Sequence, residues 1–138
     1  MDKQEKIHQI NYDGKNTIIS ALGIEITDLG DNFICGKMPV DKRTKQPFGL
    51  LHGGASVVLA ETLGSIGGMA KVENNNETVV GIAINANHLK SVTVGWVFGK
   101  ATSIQIGKKI QVWEIRITNE AKELICISRL TLAVVIKK

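Results

Sequence analysis

The chain has 138 residues, 43% of them apolar, and a formal net charge of +4 at pH 7. This length fits a single domain spanning residues 1–138 with a substantial core, and the ordinary composition excludes a repetitive or low-complexity chain. The basic residues are spread along the sequence and only 4% of residues are aromatic, so we expect no nucleic-acid partner.

The predicted elements are a short helix, two strands, a loop, a long helix and four further strands. In that order they cover residues 16–22, 24–29, 32–40, 41–51, 52–73, 78–90, 93–106, 109–119 and 123–136. Trp113, Ile115 and Ile117 alternate with polar residues, which indicates a sheet with one covered face. Consecutive strands and one long helix predict an α+β fold in which an antiparallel sheet wraps around the helix.

The cysteines, the histidines and the N-terminus bear on location and metal binding. Cys35 and Cys126 lack CxxC spacing, so we expect two reduced core thiols in a cytoplasmic protein. The first ten residues are polar and mixed in charge, unlike a signal peptide. His8, His52 and His88 are scattered, so no metal site is predicted.

The long helix carries one carboxylate, Glu61, in residues 53–70 that are otherwise free of charge. An isolated carboxylate in an apolar helix is costly unless it is paired or neutralised, and catalysis is the best reason for keeping one. Glu61 and the interior glycines favour a buried helix over a membrane span, so no membrane partner is expected. Each interior glycine costs roughly 1 kcal/mol relative to alanine, so another backbone or a ligand should approach Gly64, Gly67 and Gly68 closely.

The helix begins at His52-Gly53-Gly54, where unpaired amides and the helix dipole could hold an oxyanion or a polarised carbonyl oxygen. A glycine-rich helix start capped by a histidine explains these three residues equally well. Lipases carry a similar His-Gly-Gly loop, but no G-x-S-x-G follows here, which excludes a serine hydrolase.

His52 and Glu61 lie nine residues apart, roughly 13 Å along one helix. One carbonyl group cannot touch both within a chain, so a shared site requires two subunits whose helices run antiparallel across a two-fold axis. Ser65, one turn beyond Glu61, could meet a nucleophile or water, and Gln46 could donate to the same oxygen as the Gly53 amide. If the site is real, the sequence predicts a homo-oligomer with a dimer as its catalytic unit.

Residues 40–65 resemble the hotdog-fold acyl-CoA thioesterases. The spacing of Gln46, His52-Gly53-Gly54 and Glu61 is similar to that of one branch of this family. That branch holds the phenylacetate-pathway thioesterases, the enterobactin proofreading thioesterase and 1,4-dihydroxy-2-naphthoyl-CoA hydrolase. The similarity extends over nearly the whole chain from residue 21, including the strand at residues 85–90, and the catalytic positions show no departure.

The resemblance implies a hotdog fold and an enzyme that hydrolyses an aromatic acyl-CoA, such as 1,4-dihydroxy-2-naphthoyl-CoA, to the free acid and coenzyme A. Glu61 would be the nucleophile or the general base for water. The Gly53 amide and Gln46 would polarise the carbonyl, His52 would assist near the leaving sulfur, and Ser65 would place water. In the family the glutamate faces a neighbouring subunit and the proteins are usually tetramers. No cofactor is implied, because coenzyme A is part of the substrate.

The resemblance also implies where coenzyme A would bind. The candidate residues lie near strand ends and are Gly81, His88, Leu89, Lys90, Ser91, Gln105, Ile106, Gly107, Lys108, Lys109 and Ile110. Their lysines would face the phosphates, although the turn at residues 107–109 alone is typical of a solvated hairpin. Hydrophobic walls from Phe48, Leu50 and Val57 could accommodate an aromatic ring.

Two alternative functions remain open at this point. One is a proofreading thioesterase that removes acyl groups from a carrier protein, and the other is a non-catalytic hotdog protein that binds acyl-CoA.

Overall fold

The computed structural model describes all residues, 1–138, as one antiparallel sheet with a long helix packed on it. In chain order the elements are α1 (Lys3–Asp13), α2 (Ile18–Ala21), β1 (Glu25–Leu29), β2 (Phe33–Val40), α3 (Gly53–Met69), β3 (Glu77–His88), β4 (Gly95–Ile106), β5 (Ile110–Thr118) and β6 (Leu124–Ile136). The six strands follow the order β1-β2-β4-β5-β6-β3, and all neighbours are antiparallel. The predicted α+β architecture is confirmed, and β1 and β3 are the edge strands.

The core lies between α3 and one face of the sheet. The alternation predicted for β5 is observed, since Trp113 is 1% exposed and Ile115 and Ile117 are fully buried. Leu59 and Leu63 of α3 are also fully buried against this face. Burying side chains of this size contributes about 1.5–3 kcal/mol each, so this contact accounts for much of the stability of the fold.

Glycines allow α3 to lie close to the sheet. An added Cβ at Gly64 would lie 2.5 Å from Leu130 Cδ2, and one at Gly67 would lie 2.9 Å from the Trp113 ring. The predicted close approach is confirmed, but sheet side chains make it, rather than a backbone or a ligand.

The helices differ from prediction at three points. α1 was not predicted because its residues are mostly polar; its N-terminus is capped by Asp2, and Ile7 is its only buried residue. α2 is shorter than predicted because Asn16 has a φ of 63°, which is outside the helical region. α3 ends at Met69 instead of residue 73, since Ala70 caps it and the following amides turn back onto its last carbonyls. None of the helices has the length and apolar character that crossing a membrane requires.

Candidate active site

The loop between β2 and α3 sets the position of His52. Thr44 is 2% exposed, and its hydroxyl donates to the Pro39 carbonyl oxygen at 2.8 Å. The Thr44 carbonyl in turn accepts from the His52 N–H at 2.8 Å. The Leu51 N–H donates to the Val92 carbonyl oxygen, also at 2.8 Å. The start of α3 is therefore tied both to the end of β2 and to the segment that precedes β4.

His52 caps α3 through its side chain. Its Nδ1 accepts a hydrogen bond from the Gly54 N–H at 2.7 Å. A ring nitrogen that accepts must be unprotonated, so the neutral imidazole carries its proton on Nε2. This hydrogen bond fixes the orientation of the ring and leaves one N–H donor, Nε2–H, for a ligand.

Gln46 is oriented by the loop that it closes. Its Oε1 accepts from the Phe48 N–H at 2.6 Å and from the Leu50 N–H at 3.4 Å. Because the oxygen is occupied, the Nε2 amide group is the end that remains free to donate. The geometry therefore supplies a hydrogen-bond donor, which is the role that the sequence assigned to this residue.

A cavity of about 310 Å³ opens between the start of α3 and the end of β3. Its lining residues are Gln46, Leu50, Leu51, Gly53, Ser56, His88, Leu89, Lys90, Ser91 and Ile125. The His88 ring packs directly on Gly53, where an added Cβ would lie 2.8 Å from Nε2. The structure thus brings two of the predicted carbonyl-binding residues together with the predicted coenzyme A residues 88–91.

Glu61 lies on the face of α3 that borders the edge strand β3. Its Oε2 would be 2.5 Å from an added Cβ at Gly81, so the carboxylate packs against a strand position that has no side chain. Glu61 is half-buried and makes no hydrogen bond or ion pair within the chain. Ser65 is likewise half-buried, without a side-chain hydrogen bond, one turn further on.

The two groups of predicted catalytic residues do not meet within the chain. Glu61 comes eight residues after Gly53, the first residue of α3, which separates them by about 12 Å along the helix. The donors of Gln46, His52 and Gly53 lie at the start of α3 and in the loop before it. The unpaired carboxylate of Glu61 lies in the middle of the helix. Within one chain, the two groups of predicted residues therefore lie at separate places.

The predicted coenzyme A residues are also divided between two places. Gly81 lies at the same level of the sheet as the hairpin candidate Ile106. The two are connected by successive strand pairings, from Gly81 through Leu132 and Gln111 to Ile106. His88 lies seven residues further along β3, about 23 Å away at the usual strand rise. Ile106, Gly107 and Lys108 line a separate cavity of about 500 Å³ at this far end. Within one chain, the hairpin candidates 105–110 are thus remote from residues 88–91.

The charge at Lys90 is already paired. Its Nζ lies 2.5 Å from Glu123 Oε2 across the strand ends, and this hydrogen bond holds the pKa of Glu123 below its usual value. Lys108 and Lys109 form no ion pair. A phosphate at Lys90 would compete with Glu123, whereas the two hairpin lysines are free to bind one.

Sequence reasoning missed Ser56 and misplaced two of the three apolar walls. Ser56 is 1% exposed and lines the cavity. The sequence feature that could have identified Ser56 is its position, one helical turn after Gly53 in an otherwise apolar stretch. Of the expected walls, Leu50 does line the cavity, but Phe48 is 89% exposed and Val57 does not line the cavity.

Comparison with known proteins gives consistent matches. The thioesterase superfamily profile matches residues 48–126. The crystal structure of thioesterase HI1161 from Haemophilus influenzae superposes with a TM-score of 0.90 at 50% identity, covering 94% of this chain and 90% of that one. The 1,4-dihydroxy-2-naphthoyl-CoA hydrolase of Escherichia coli is 46% identical over 128 residues, and the proofreading thioesterase EntH of Cronobacter turicensis is 45% identical over 128 residues. Each of these two alignments covers 93% of both proteins.

Proposed function

The chain belongs to the thioesterase superfamily, and from this premise we propose that it hydrolyses an aromatic acyl-CoA to the free acid and coenzyme A. Thioester hydrolysis as the class of activity follows from the family and from relatives named thioesterase and hydrolase. The aromatic acyl group is supported by a relative whose name specifies a naphthoyl-CoA substrate. We propose 1,4-dihydroxy-2-naphthoyl-CoA as the first substrate to test.

The observation that carries this proposal is a set of unused donors at the start of α3. The Nε2 amide of Gln46 and the Nε2–H of His52 remain available because the opposite end of each side chain is occupied. Gly53, as the first residue of α3, has no intrahelical acceptor for its N–H. Donors fixed in advance at a carbonyl oxygen stabilise the negative charge that develops there, and each contributes about 10²–10³-fold in rate.

The reaction then needs a carboxylate at the carbonyl carbon, which we assign to Glu61 of a second subunit. Glu61 has two possible roles in this step. As a general base it removes a proton from a water molecule, which then attacks the carbonyl carbon. As a nucleophile the Glu61 carboxylate attacks the carbonyl carbon itself. In either case the oxyanion is held by Gly53 and Gln46, the C–S bond breaks, and the thiolate leaves beside the His52 Nε2–H. If Glu61 attacks the carbon directly, water then hydrolyses the resulting anhydride between the acyl group and Glu61 and regenerates the carboxylate. In both routes water supplies the second oxygen of the acid, so no cofactor is required.

The free edge of the sheet supports a dimer of this kind. β3 is an edge strand, and its Val80 and Ile82 are 45% and 56% exposed. Exposed apolar edge strands tend to pair with another strand. Two β3 strands paired antiparallel would set two α3 helices side by side, and Glu61 faces this edge through its contact with Gly81. We propose this dimer as the catalytic unit and a tetramer as a pair of such dimers.

Glu61→Gln tests the assignment because it removes the charge and keeps the shape. We expect kcat on aromatic acyl-CoAs to fall by at least about 10³-fold, with thermal stability near that of the wild type. Glu114→Gln is the matched control, since Glu114 is also half-buried but lies on β5, away from the cavity. Turnover by Glu61→Gln within a few-fold of the wild type would contradict the assignment.

A carrier-protein thioester is the second candidate substrate. It is favoured by the similarity to a proofreading thioesterase and by the opening of the cavity beside Ser91 at the surface, where a pantetheine arm could enter. Both substrates share this arm, but only coenzyme A brings a nucleotide. Because the hairpin at residues 105–110 is remote from this opening within one chain, the nucleotide would meet the hairpin of the second subunit. Lys108→Ala and Lys109→Ala should therefore raise KM for acyl-CoA and leave KM for the matching acyl carrier protein unchanged.

We place the protein in the cytoplasm. This placement is supported by the free thiols of Cys35 and Cys126, which are usual in a reducing compartment. Burial raises the pKa of both thiols, which disfavours the reactive thiolate.

A further inference from the structure

Ser56 is a buried polar residue that the proposed reaction does not use. It is 1% exposed and lies in the first turns of α3, among the residues that line the 310 Å³ cavity. Its hydroxyl makes no hydrogen bond with any group of the chain, whereas that of Ser128, which is 2% exposed, donates to the Asn85 carbonyl oxygen at 2.7 Å. Hydroxyls that fold away from water normally find a partner.

The unpaired hydroxyl of Ser56 must reach the cavity. Every side-chain nitrogen or oxygen that is fully buried in this protein has a partner. The Ser56 oxygen has none, so it retains contact with accessible space, and the cavity is the space that Ser56 lines. A polar group held in this way can bind a ligand without losing a bond that it already makes.

We propose that the Ser56 hydroxyl binds the amide of the substrate's thiol arm that lies nearest the sulfur. This rests on the proposed function, in which the substrate is a thioester of pantetheine. In pantetheine two methylene groups separate the sulfur from an amide. Ser56 follows Gly53 by about one helical turn, and residues at this spacing on a helix lie about 5–6 Å apart. With the thioester oxygen at the Gly53 N–H, the amide therefore comes within reach of Ser56.

The cavity wall agrees with a short apolar link between two polar groups. Leu51 and Ile125 line it together with Ser56 and Gly53. The methylenes would contact these apolar side chains, while the thioester oxygen and the amide meet hydrogen-bonding groups. Ser56 therefore selects thiols that carry an amide at this distance over simple alkyl thiols.

Binding of two non-hydrolysable ligands tests this proposal. Both are phenacyl thioethers, one of N-acetylcysteamine, which keeps the amide, and one of pentanethiol, which has the same length without it. Calorimetry gives Kd for each ligand with the wild type, Ser56→Ala and the control Ser128→Ala. We expect Ser56→Ala to weaken binding of the amide ligand roughly tenfold and to leave the pentyl ligand unchanged. Ser128→Ala should affect both ligands equally, with a lower Tm.

The kinetic counterpart is a change in KM. With the benzoyl thioester of N-acetylcysteamine, Ser56→Ala should raise KM by a similar factor and keep kcat, as expected for a group that binds away from the reacting carbon. If Ser56→Ala does not fold, Ser56→Cys, which is close in volume, takes its place.

Three results would overturn the Ser56 proposal. Ser56→Ala could weaken the binding of both ligands equally, it could weaken the binding of neither, or the wild type could fail to bind the amide ligand. Because Kd does not depend on turnover, a wild type that binds the amide ligand through Ser56 but hydrolyses no thioester would contradict the proposed function alone.

Discussion

Gly81→Ala provides a direct test of how the carboxylate of Glu61 is positioned. The added methyl carbon would lie 2.5 Å from Glu61 Oε2, and the next heavy atoms are Glu61 Cδ at 3.6 Å and Leu130 Cδ1 at 3.8 Å. Only the carboxylate is therefore in conflict with it. An ordinary contact begins near 3.4 Å, so the oxygen must move by about 1 Å.

The consequences for stability and for activity differ in direction. Gly81 lies in a strand and does not have a positive φ, so alanine fits its backbone and should add about 0.4–1 kcal/mol of stability. A displacement of about 1 Å at a reacting group costs on the order of 10²-fold in rate. We therefore expect a variant that is at least as stable as the wild type and whose kcat is roughly a hundredfold lower.

Steady-state kinetics with an aromatic acyl-CoA and thermal unfolding provide the measurement. A fall in kcat at constant KM indicates displacement of Glu61, whereas a rise in KM at constant kcat indicates the coenzyme A contact that the sequence predicted for Gly81. Glu61→Asp retracts the carboxylate by one methylene, so Gly81→Ala should be less harmful in the Glu61→Asp background than alone. A kcat within twofold of the wild type, or additive effects in the double variant, would refute the positioning argument.

Two further predictions concern the loop before α3. Gln46→Glu keeps the Oε1 that accepts from the Phe48 N–H but replaces the donor, so kcat should fall about 10²–10³-fold with little change in Tm; unchanged kcat would exclude Gln46 as a donor. Hydrogen bonds from Arg43 lower the pKa of Asp41 from 3.8 to about 2, so its stabilising effect is complete above pH 3.8 and is lost as the pH falls towards 2. Asp41→Asn should remove this part of the acid dependence in urea unfolding curves between pH 6 and 2, and superimposable curves would contradict the assignment.

Local patterns were sufficient to predict most of the fold. The alternation around Trp113 identified β5, and the run of apolar residues and glycines around Glu61 identified α3, because the periodicity of each segment reflects its own burial. α1 escaped prediction because its sequence is mostly polar: Ile7 is its only buried residue, and Ile10 packs against the core while only half-buried. The early end of α3 depends on capping contacts that no pattern over residues 70–73 specifies.

The sequence suggested the residue types of the candidate site but not their contacts. The contact of Glu61 with Gly81 and the ion pair of Lys90 with Glu123 join residues 20 and 33 positions apart, and both depend on how β3 lies beside α3 and β6. Sequence spacing along one helix did show that His52 and Glu61 cannot meet within a chain. It could not show that hydrogen bonds at the opposite ends of the side chains of His52 and Gln46 leave donors free.

The free donors at the start of α3 and the free carboxylate of Glu61, which can only accept hydrogen bonds, are complementary, and this is the strongest argument for sharing the site between subunits. Glu61 has no partner in its own chain, and covering it with a second subunit would withdraw it from water, which is costly for an unpaired carboxylate. An apolar partner surface would therefore oppose the dimer. The donors of Gln46 and His52 on a second copy would offset this cost with charge-assisted hydrogen bonds. Until substrate binds, Gln46, which later holds the thioester oxygen, and His52, which later meets the leaving sulfur, would thus stabilise the carboxylate that acts on the carbonyl carbon.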